Sequence, residues 1–350
     1  FAARRAEPVS EFAETVLREI ELAGDVIEAR SVQELHWGGG TPNILSPAQF
    51  TRIYHQLAFW FDIAGNAHSI EIDPRCLTNE HLTAYRAAGV TRASIGAQDF
   101  NAHVQRAIGR IQPAELVSAA IEKLRAAGIA EISMDLMYGL PQQSIGDLMR
   151  SLRSAAALRP QRIALFGYAH VPWFKKRQRL IDEKALPSAA QRFDQAEAAR
   201  DELVALGYVA VGLDHFALPS DELALAVHSD RLHRSFQGYG AGDPLPIIGF
   251  GPSAISTLPE GYAQNHAEIG AWTRAIGDDR LPVARGHAFD DADRRRAYVI
   301  EQIMCAFNAD LTPLGGAVSL VEELSFLRPL IDDELVFVTG DRLVIPPRGR

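Results

Sequence analysis

The sequence predicts an α/β fold in which parallel strands close, or partly close, into a barrel, followed by a small, mainly helical C-terminal domain. Three observations carry this. Short β-rich runs alternate with amphipathic helical patterns between residues 33 and 214. Helix start and stop signals stand between them. A polar residue able to do chemistry lies at or near the end of each β-rich run.

Strands are expected at 33–37, 69–73, 92–97, 131–137, 162–167 and 209–214, and helices at 46–61, 78–88, 113–127, 145–158 and 188–206. Ser46 ahead of Pro47 supplies an N-cap and a first turn, and Gly89 and Gly128 stand where helix C-caps belong. Alternation at this spacing requires parallel pairing with right-handed crossovers. An open doubly wound sheet is the competing arrangement. Gly38–Gly40, Glu71, Gln98, Asp135, His170 and the Asp214-His215 pair fall near successive run ends, so a lined site is expected there. Beyond Gly212 the rhythm breaks, and dense Pro and Gly at 238–259 read as loops over the barrel mouth. Helices are expected at 290–307 and 317–327, then a hairpin within 334–345. The expected division is a barrel with its extension over 1–280 and a small helical domain over 281–350.

With 350 residues, 47% of them hydrophobic and 23% charged, the chain can bury a sizeable core and has ordinary globular composition. No apolar run reaches membrane-helix length and no signal-peptide pattern opens the chain. A net charge of −9 argues against a nucleic-acid surface, and an anionic substrate would need a local basic pocket. Two cysteines, Cys76 and Cys305, exclude a disulfide framework and point to a reducing, cytoplasmic setting. They also cannot provide three closely spaced thiolates for an iron–sulfur cluster.

Gly38-Gly39-Gly40-Thr41-Pro42 lets backbone approach a ligand closely. It lacks Gly-x-Gly-x-x-Gly spacing and a Lys-Ser/Thr pair, which excludes dinucleotide and P-loop readings and leaves a plain turn as the alternative. Glu71 is either salt-bridged to a neighbour or an acceptor for an ammonium or ribose hydroxyls, and Gln98 and Asp135 follow the same logic on later strands. Arg110, after a short helix at 101–108, reads on its own as a surface arginine. His170, in Tyr168-Ala169-His170-Val171-Pro172, is either a ligand donor or structural. Asp214-His215 pairs a carboxylate with an imidazole, but no activated Ser or Cys accompanies it and no zinc pattern exists. The basic runs at 175–179 and 231–234 read first as solvated faces.

Leu35-His36-Trp37 with the triple glycine, Ser69-Ile70-Glu71-Ile72-Asp73-Pro74 and Ser94-Ile95-Gly96-Ala97-Gln98-Asp99-Phe100 together resemble the radical S-adenosylmethionine (SAM) superfamily. Within it the chain is most similar to the oxygen-independent coproporphyrinogen III oxidases. The more specific matches are Tyr168–Pro172, Asp214-His215-Phe216-Ala217, Asp221-Glu222-Leu223-Ala224, Leu232-His233-Arg234, Phe236-Gln237-Gly238-Tyr239 and Ser253-Ala254-Ile255-Ser256.

The resemblance implies a partial (β/α)6 TIM-like barrel binding two SAM molecules beside a 4Fe-4S cluster. It implies that the first SAM touches Gly38, Glu71 and Ile255, and the second Gly39, Gly40, Gln98, Arg110, Asp135 and Ala169, with Gln237 a further candidate. In the family a 5'-deoxyadenosyl radical abstracts hydrogen from a propionate, CO2 is lost and a vinyl group remains; two propionates of coproporphyrinogen III react, giving protoporphyrinogen IX. Arg231 or Arg234 is expected to read a propionate. The resemblance places the first strand and the cluster cysteines ahead of Phe1, and so no metal ligand within this chain. It also implies a flavodoxin- or ferredoxin-type electron donor, and a monomer is expected. Gly240-Ala241 stands where the family usually carries two threonines. Alternatives from other classes are a porphyrin- or haem-carrying relative, an inactive paralogue, and an unrelated barrel enzyme for a phosphorylated metabolite, the last disfavoured by the lack of a phosphate-binding motif.

Overall fold

The computed structural model describes residues 6–350 apart from 64 and 66. The chain divides into two compact units built from non-contiguous segments. The first contains the chain up to Tyr208 together with Gly249–Ala254 and Gln264–Arg285; the second contains Val209–Ile248, Ile255–Ala263 and Gly286–Arg350.

The first unit is organised by five strands: β1 (Glu34–Trp37), β2 (Ala67–Ile72), β3 (Arg92–Gln98), β4 (Glu131–Tyr138) and β5 (Arg162–Gly167). They lie side by side in chain order, every neighbouring pair parallel. A doubly wound sheet would reverse its strand order at a switch point; this one adds strands in a single direction.

Register sorts the side chains into two faces. Ile72, Ile95, Met134 and Ile163 pair across β2 to β5, and all four are buried. One residue back, Glu71, Ser94, Ser133 and Arg162 pair in the same way on the opposite face. The apolar face thus supplies the core and the polar face is left for a ligand.

The connecting helices are α2 (Pro47–Trp60), α3 (Asn79–Ala87), α4 (Ala102–Ala107), α5 (Ala114–Ala126), α6 (Ile145–Ala157) and α7 (Ala189–Ala205). Ser46, Thr78, Ser144 and Ser188 each close a capping box on α2, α3, α6 and α7. Each such cap is worth about 1 kcal/mol and sets where the strand-to-helix loop must stop.

α1 (Ala6–Val26) has no counterpart among the helices expected from the sequence. Its apolar positions Ala13, Val16 and Ile20 recur at helical spacing and pack with Ile53 and Leu57 of α2 and with Trp272 and Ile276 of α9 (Ile269–Gly277). Glu19 lies within this packing at 2% exposure. Its carboxylate accepts from Gly251 N (2.8 Å), Asn265 Nδ2 (2.7 Å) and Trp272 Nε1 (3.1 Å), tying α1 to two later segments of the same unit.

In the second unit the run expected to be a sixth parallel strand is a short hairpin. β6 (Val209–Val211) turns at Gly212, whose φ is 55°, and pairs antiparallel with β7 (His215–Ala217). α8 (Glu222–His228) precedes a second hairpin, β8 (Leu232–Ser235) with β9 (Gly238–Ala241). Strands also form where loops were expected: β9 and β10 (Ile255–Leu258) lie in the Pro- and Gly-rich stretch, followed by β11 (Gly261–Asn265) and β12 (Val283–Ala288). α10 (Asp291–Ala306) leads into an antiparallel sheet of β13 (Asn308–Asp310), β14 (Phe337–Thr339) and β15 (Arg342–Val344), with β15 central. The single helix expected at 317–327 is broken into a 3-10 turn and α11 (Val321–Phe326), and a further short helix, α12 (Arg328–Asp332), follows with Pro329 in its first turn.

Burial raises the Glu19 carboxyl from an ordinary 4.5 to about 7, outweighing its three donors. The folded state therefore holds a proton that the unfolded chain has released between those two values, so the contribution favours folding at low pH and is lost as pH rises through about 7. Unfolding free energy should fall by about 3 kcal/mol from this group over that window. Urea denaturation at half-unit pH steps checks the slope, and Glu19→Gln should flatten it.

Candidate cofactor site

The site begins where β1 runs into the three glycines, all exposed. A Cβ on Gly38 would lie 2.5 Å from His36 Nε2 and 2.8 Å from Glu71 Oε1, so only glycine lets these side chains close on the bend. Gly39, at φ 83°, and Gly40 have open space beside them. Their backbone is itself a surface a ligand can approach.

Asn43 holds the bend in place. Its Nδ2 donates to Asp73 O (2.8 Å) and its Oδ1 accepts from Asp73 N (2.9 Å), so one buried amide pairs with the strand end as a neighbouring strand would. The Asp73 carboxylate is held in turn by Arg75, with Nη2 at 2.6 Å. Burial works to raise the Asp73 carboxyl, but the hydrogen bonds and charge of Arg75 and the charge of Arg110 bring it below its usual range.

Glu71 stands on the polar face of β2, 3.7 Å from His36 Nε2, while His36 Nδ1 meets Ser69 Oγ at 2.8 Å. The Glu71 side chain remains 40% exposed, so its carboxylate is available to a cation. On β3, Ser94 is the register partner of Glu71 and donates through Oγ to Asp135 Oδ1 of β4 (3.1 Å). Glu71, Ser94 and Asp135 therefore share one face.

Gln98 ends β3 at φ 65° with a register shift after Gly96. A left-handed residue without a Gly costs about 1 kcal/mol or more and is kept where the fold re-aims a side chain. Here the Gln98 amide folds back over Gly96, where an added Cβ would lie 2.9 Å from Nε2 and 3.2 Å from Arg110 Nη2. Arg110 is not the surface arginine that its local sequence suggests. Its Nη2 donates to Gly96 O (2.8 Å), and its Nε is buried without a partner. Desolvation lowers its pKa, opposed by the charges of Asp73 and Asp135.

Beyond β5, Ala169 O accepts from Gln178 Nε2 (2.9 Å) while Val171 N donates to Gln178 Oε1 (2.6 Å). His170 is engaged on both ring nitrogens, by Tyr168 Oη (3.2 Å) and Glu183 Oε1 (3.1 Å), which fits a structural role.

The remaining expected site residues belong to the second unit. Gln237 is exposed in the β8–β9 turn and Ile255 opens β10. Arg231 is exposed. Arg234 lies over the Tyr239 ring (4.5 Å to its centre) with Nη1 3.5 Å from Asp214 Oδ1, and Asp214 also holds His215 Nδ1 at 2.7 Å. An incoming carboxylate would compete with Asp214 for Arg234. Asn43, His36, Ser94 and Gln112, which joins Arg110 on Gly96 O, were not among the expected residues. Only Ser94 carried a local signal, by alternating with buried Ala93 and Ile95.

The Radical SAM superfamily profile matches residues 4–155. The oxygen-independent coproporphyrinogen III oxidase of Bradyrhizobium diazoefficiens is 44% identical, over 99% of this chain and 79% of its own length. The protein of that name from Escherichia coli is 36% identical, over 99% and 78%. A solved coproporphyrinogen III oxidase from Escherichia coli, described as a radical SAM enzyme, matches with TM-score 0.94 at 35% identity, covering 100% of this chain and 82% of that one.

A one-directional parallel sheet with a glycine bend at its carboxyl end, together with these likenesses, defines a radical SAM enzyme with a partial TIM-like barrel. More narrowly, the chain belongs to the family of oxygen-independent coproporphyrinogen III oxidases. That family implies SAM and a 4Fe-4S cluster. The open glycine backbone beside Glu71 fits the amino-acid end of SAM. Among the described residues no group of three His, Cys, Asp or Glu is placed to hold a metal, and Cys76 and Cys305 fall in different units, so these residues do not furnish a cluster's ligands.

Two substitutions test this geometry. Asn43→Ala strips two hydrogen bonds from buried backbone and should cost about 2–3 kcal/mol in denaturant unfolding. Gly96→Ala pushes against Gln98 and Arg110 and should cost about 1–3 kcal/mol; a neutral result would mean that the two side chains are not held there.

Proposed function

We propose that this chain carries the catalytic barrel of an enzyme that oxidatively decarboxylates two propionates of coproporphyrinogen III to vinyl groups, giving protoporphyrinogen IX in haem biosynthesis without using oxygen. The observation that carries the reading is the joint placement of Glu71, Ser94 and Asp135 on one polar strand face beside an open triple-glycine bend.

Two SAM molecules are assigned. The first is read by Gly38, Glu71 and Ile255, the second by Gly39, Gly40, Gln98, Arg110, Asp135 and Ala169, with Gln237 in addition. When bound, SAM supplies radical chemistry that no side chain can. The protein's own part is binding, orientation and exclusion of water. The Glu71 carboxylate accepts from an ammonium or from ribose hydroxyls, and the glycine backbone is close enough to meet the same ligand without side chains between them. Gln98 and Asp135 offer a neutral amide and a carboxylate to hydroxyl groups. Arg110, with one guanidinium nitrogen unsatisfied, suits a carboxylate.

Arg231 and Arg234 are proposed as readers of propionates, and residues 1–280 and 281–350 as barrel with extension and appended domain. The electron donor is proposed to be a flavodoxin- or ferredoxin-type protein, and the working form a cytoplasmic monomer. No helix among the described residues is long and apolar enough to cross a membrane.

Anaerobic incubation of the full-length, reconstituted protein with SAM, a reductant and coproporphyrinogen III should yield protoporphyrin fluorescence after oxidation. Haem transfer without vinyl product would instead favour a porphyrin carrier. Glu71→Gln keeps the shape of the side chain and removes its charge, so SAM affinity should fall about tenfold or more by isothermal titration. Unchanged affinity would remove Glu71 from the site.

A further inference from the structure

We propose that Arg192 is a carboxylate-binding residue at the carboxyl ends of β4 and β5. The inference rests on the reading of this barrel end as the ligand side. Ser188 caps α7 and accepts from Arg192 N (2.9 Å), which places Arg192 in the helix's first turns. One turn on, buried Gln195 accepts from Gly139 N (3.0 Å) and donates to Gln143 O (2.8 Å), fastening α7 to the turn that leaves β4. Residues three apart share a helix face, so this clamp also presents Arg192 to that turn.

Glycine follows β4 and ends β5 where the guanidinium lies. A Cβ on Gly139 (φ 77°) would be 3.1 Å from Arg192 Nε. One on Gly167 would be 3.3 Å from Arg192 Nη2 and 2.9 Å from Tyr138 Oη. The site therefore joins a guanidinium to a phenol hydroxyl, two kinds of donor, over backbone left bare of side chains.

Four other arginines of this unit make the contrast. Arg52, Arg75, Arg92 and Arg153 each pair with a carboxylate, at 2.5, 2.6, 2.8 and 2.7 Å. Arg192 has none among the described residues, and its buried Nε has no hydrogen-bond partner. A buried guanidinium nitrogen left unsatisfied costs free energy that an incoming anion recovers. The planar fork selects a carboxylate, and ligands collect at this end of parallel strands. The proposed function offers two sources of that group: the amino-acid end of SAM and the propionates of the porphyrinogen.

Titration of the full-length protein, its Arg192→Ala variant and its Arg192→Lys variant separates them. The probes are SAM, coproporphyrin III (the stable aromatic tetracarboxylate) and its tetramethyl ester. Arg192→Ala should weaken either SAM or coproporphyrin III by about 10- to 100-fold, with Lys restoring part of the loss. If the porphyrin is the affected ligand, the ester should bind wild type and variant alike. Melting temperature should change by no more than a few degrees, since the guanidinium gives up no protein bond. Wild-type affinity of Arg192→Ala for both acids, or a large loss of stability, would overturn this assignment alone. Failure of the wild type to bind either acid would overturn it together with the reading of the site.

Discussion

Register across the parallel strands is the constraint on which everything else depends. Glu71 faces Ser94 and Ile72 faces Ile95 in the same strand pair. A slip of one residue would exchange the two faces, placing a carboxylate against the helices and isoleucines on the ligand side. Continuous apolar burial across β2 to β5 makes that slip prohibitive. The hydrophobic effect, which knows nothing of the ligand, thereby aims the polar groups.

Close approaches to glycine recur where the candidate site side chains crowd. Gly38, Gly96, Gly139 and Gly167 each leave a space that a neighbouring His, Glu, Gln, Arg or Tyr side chain enters. Gln98 adopts a left-handed backbone at the point where its strand meets Arg110. The free-energy cost of these departures is met by the regular structure behind them: four capped helices and a sheet whose buried layer is unbroken.

Two kinds of buried polar group behave differently. Glu19 is satisfied by three donors and acts as a pin between α1 and later segments of its unit. Arg110 and Arg192 each keep a buried Nε without a partner. The first arrangement is complete within the fold, and the second leaves a buried donor open. Such incomplete satisfaction is uncommon in native interiors.

Much of the architecture could be read from local sequence. Strand-length apolar runs, their spacing, and the Ser46 N-cap are local properties, and between residues 33 and 206 the structure places the expected elements within a residue or two of their expected bounds. Glu71 and Asp135 were also visible, because alternation within a strand assigns a side chain to a face. What sequence could not decide was pairing at a distance. α1 is recognisable only once α2 and Trp272 cover its apolar stripe. The 209–211 run becomes a hairpin arm because Gly212 turns the chain back. Asn43 looks like any loop residue until Asp73, thirty positions on, supplies both halves of its hydrogen-bonded pair. Propensity and periodicity act over a few residues, whereas these contacts exist only after the chain has closed on itself.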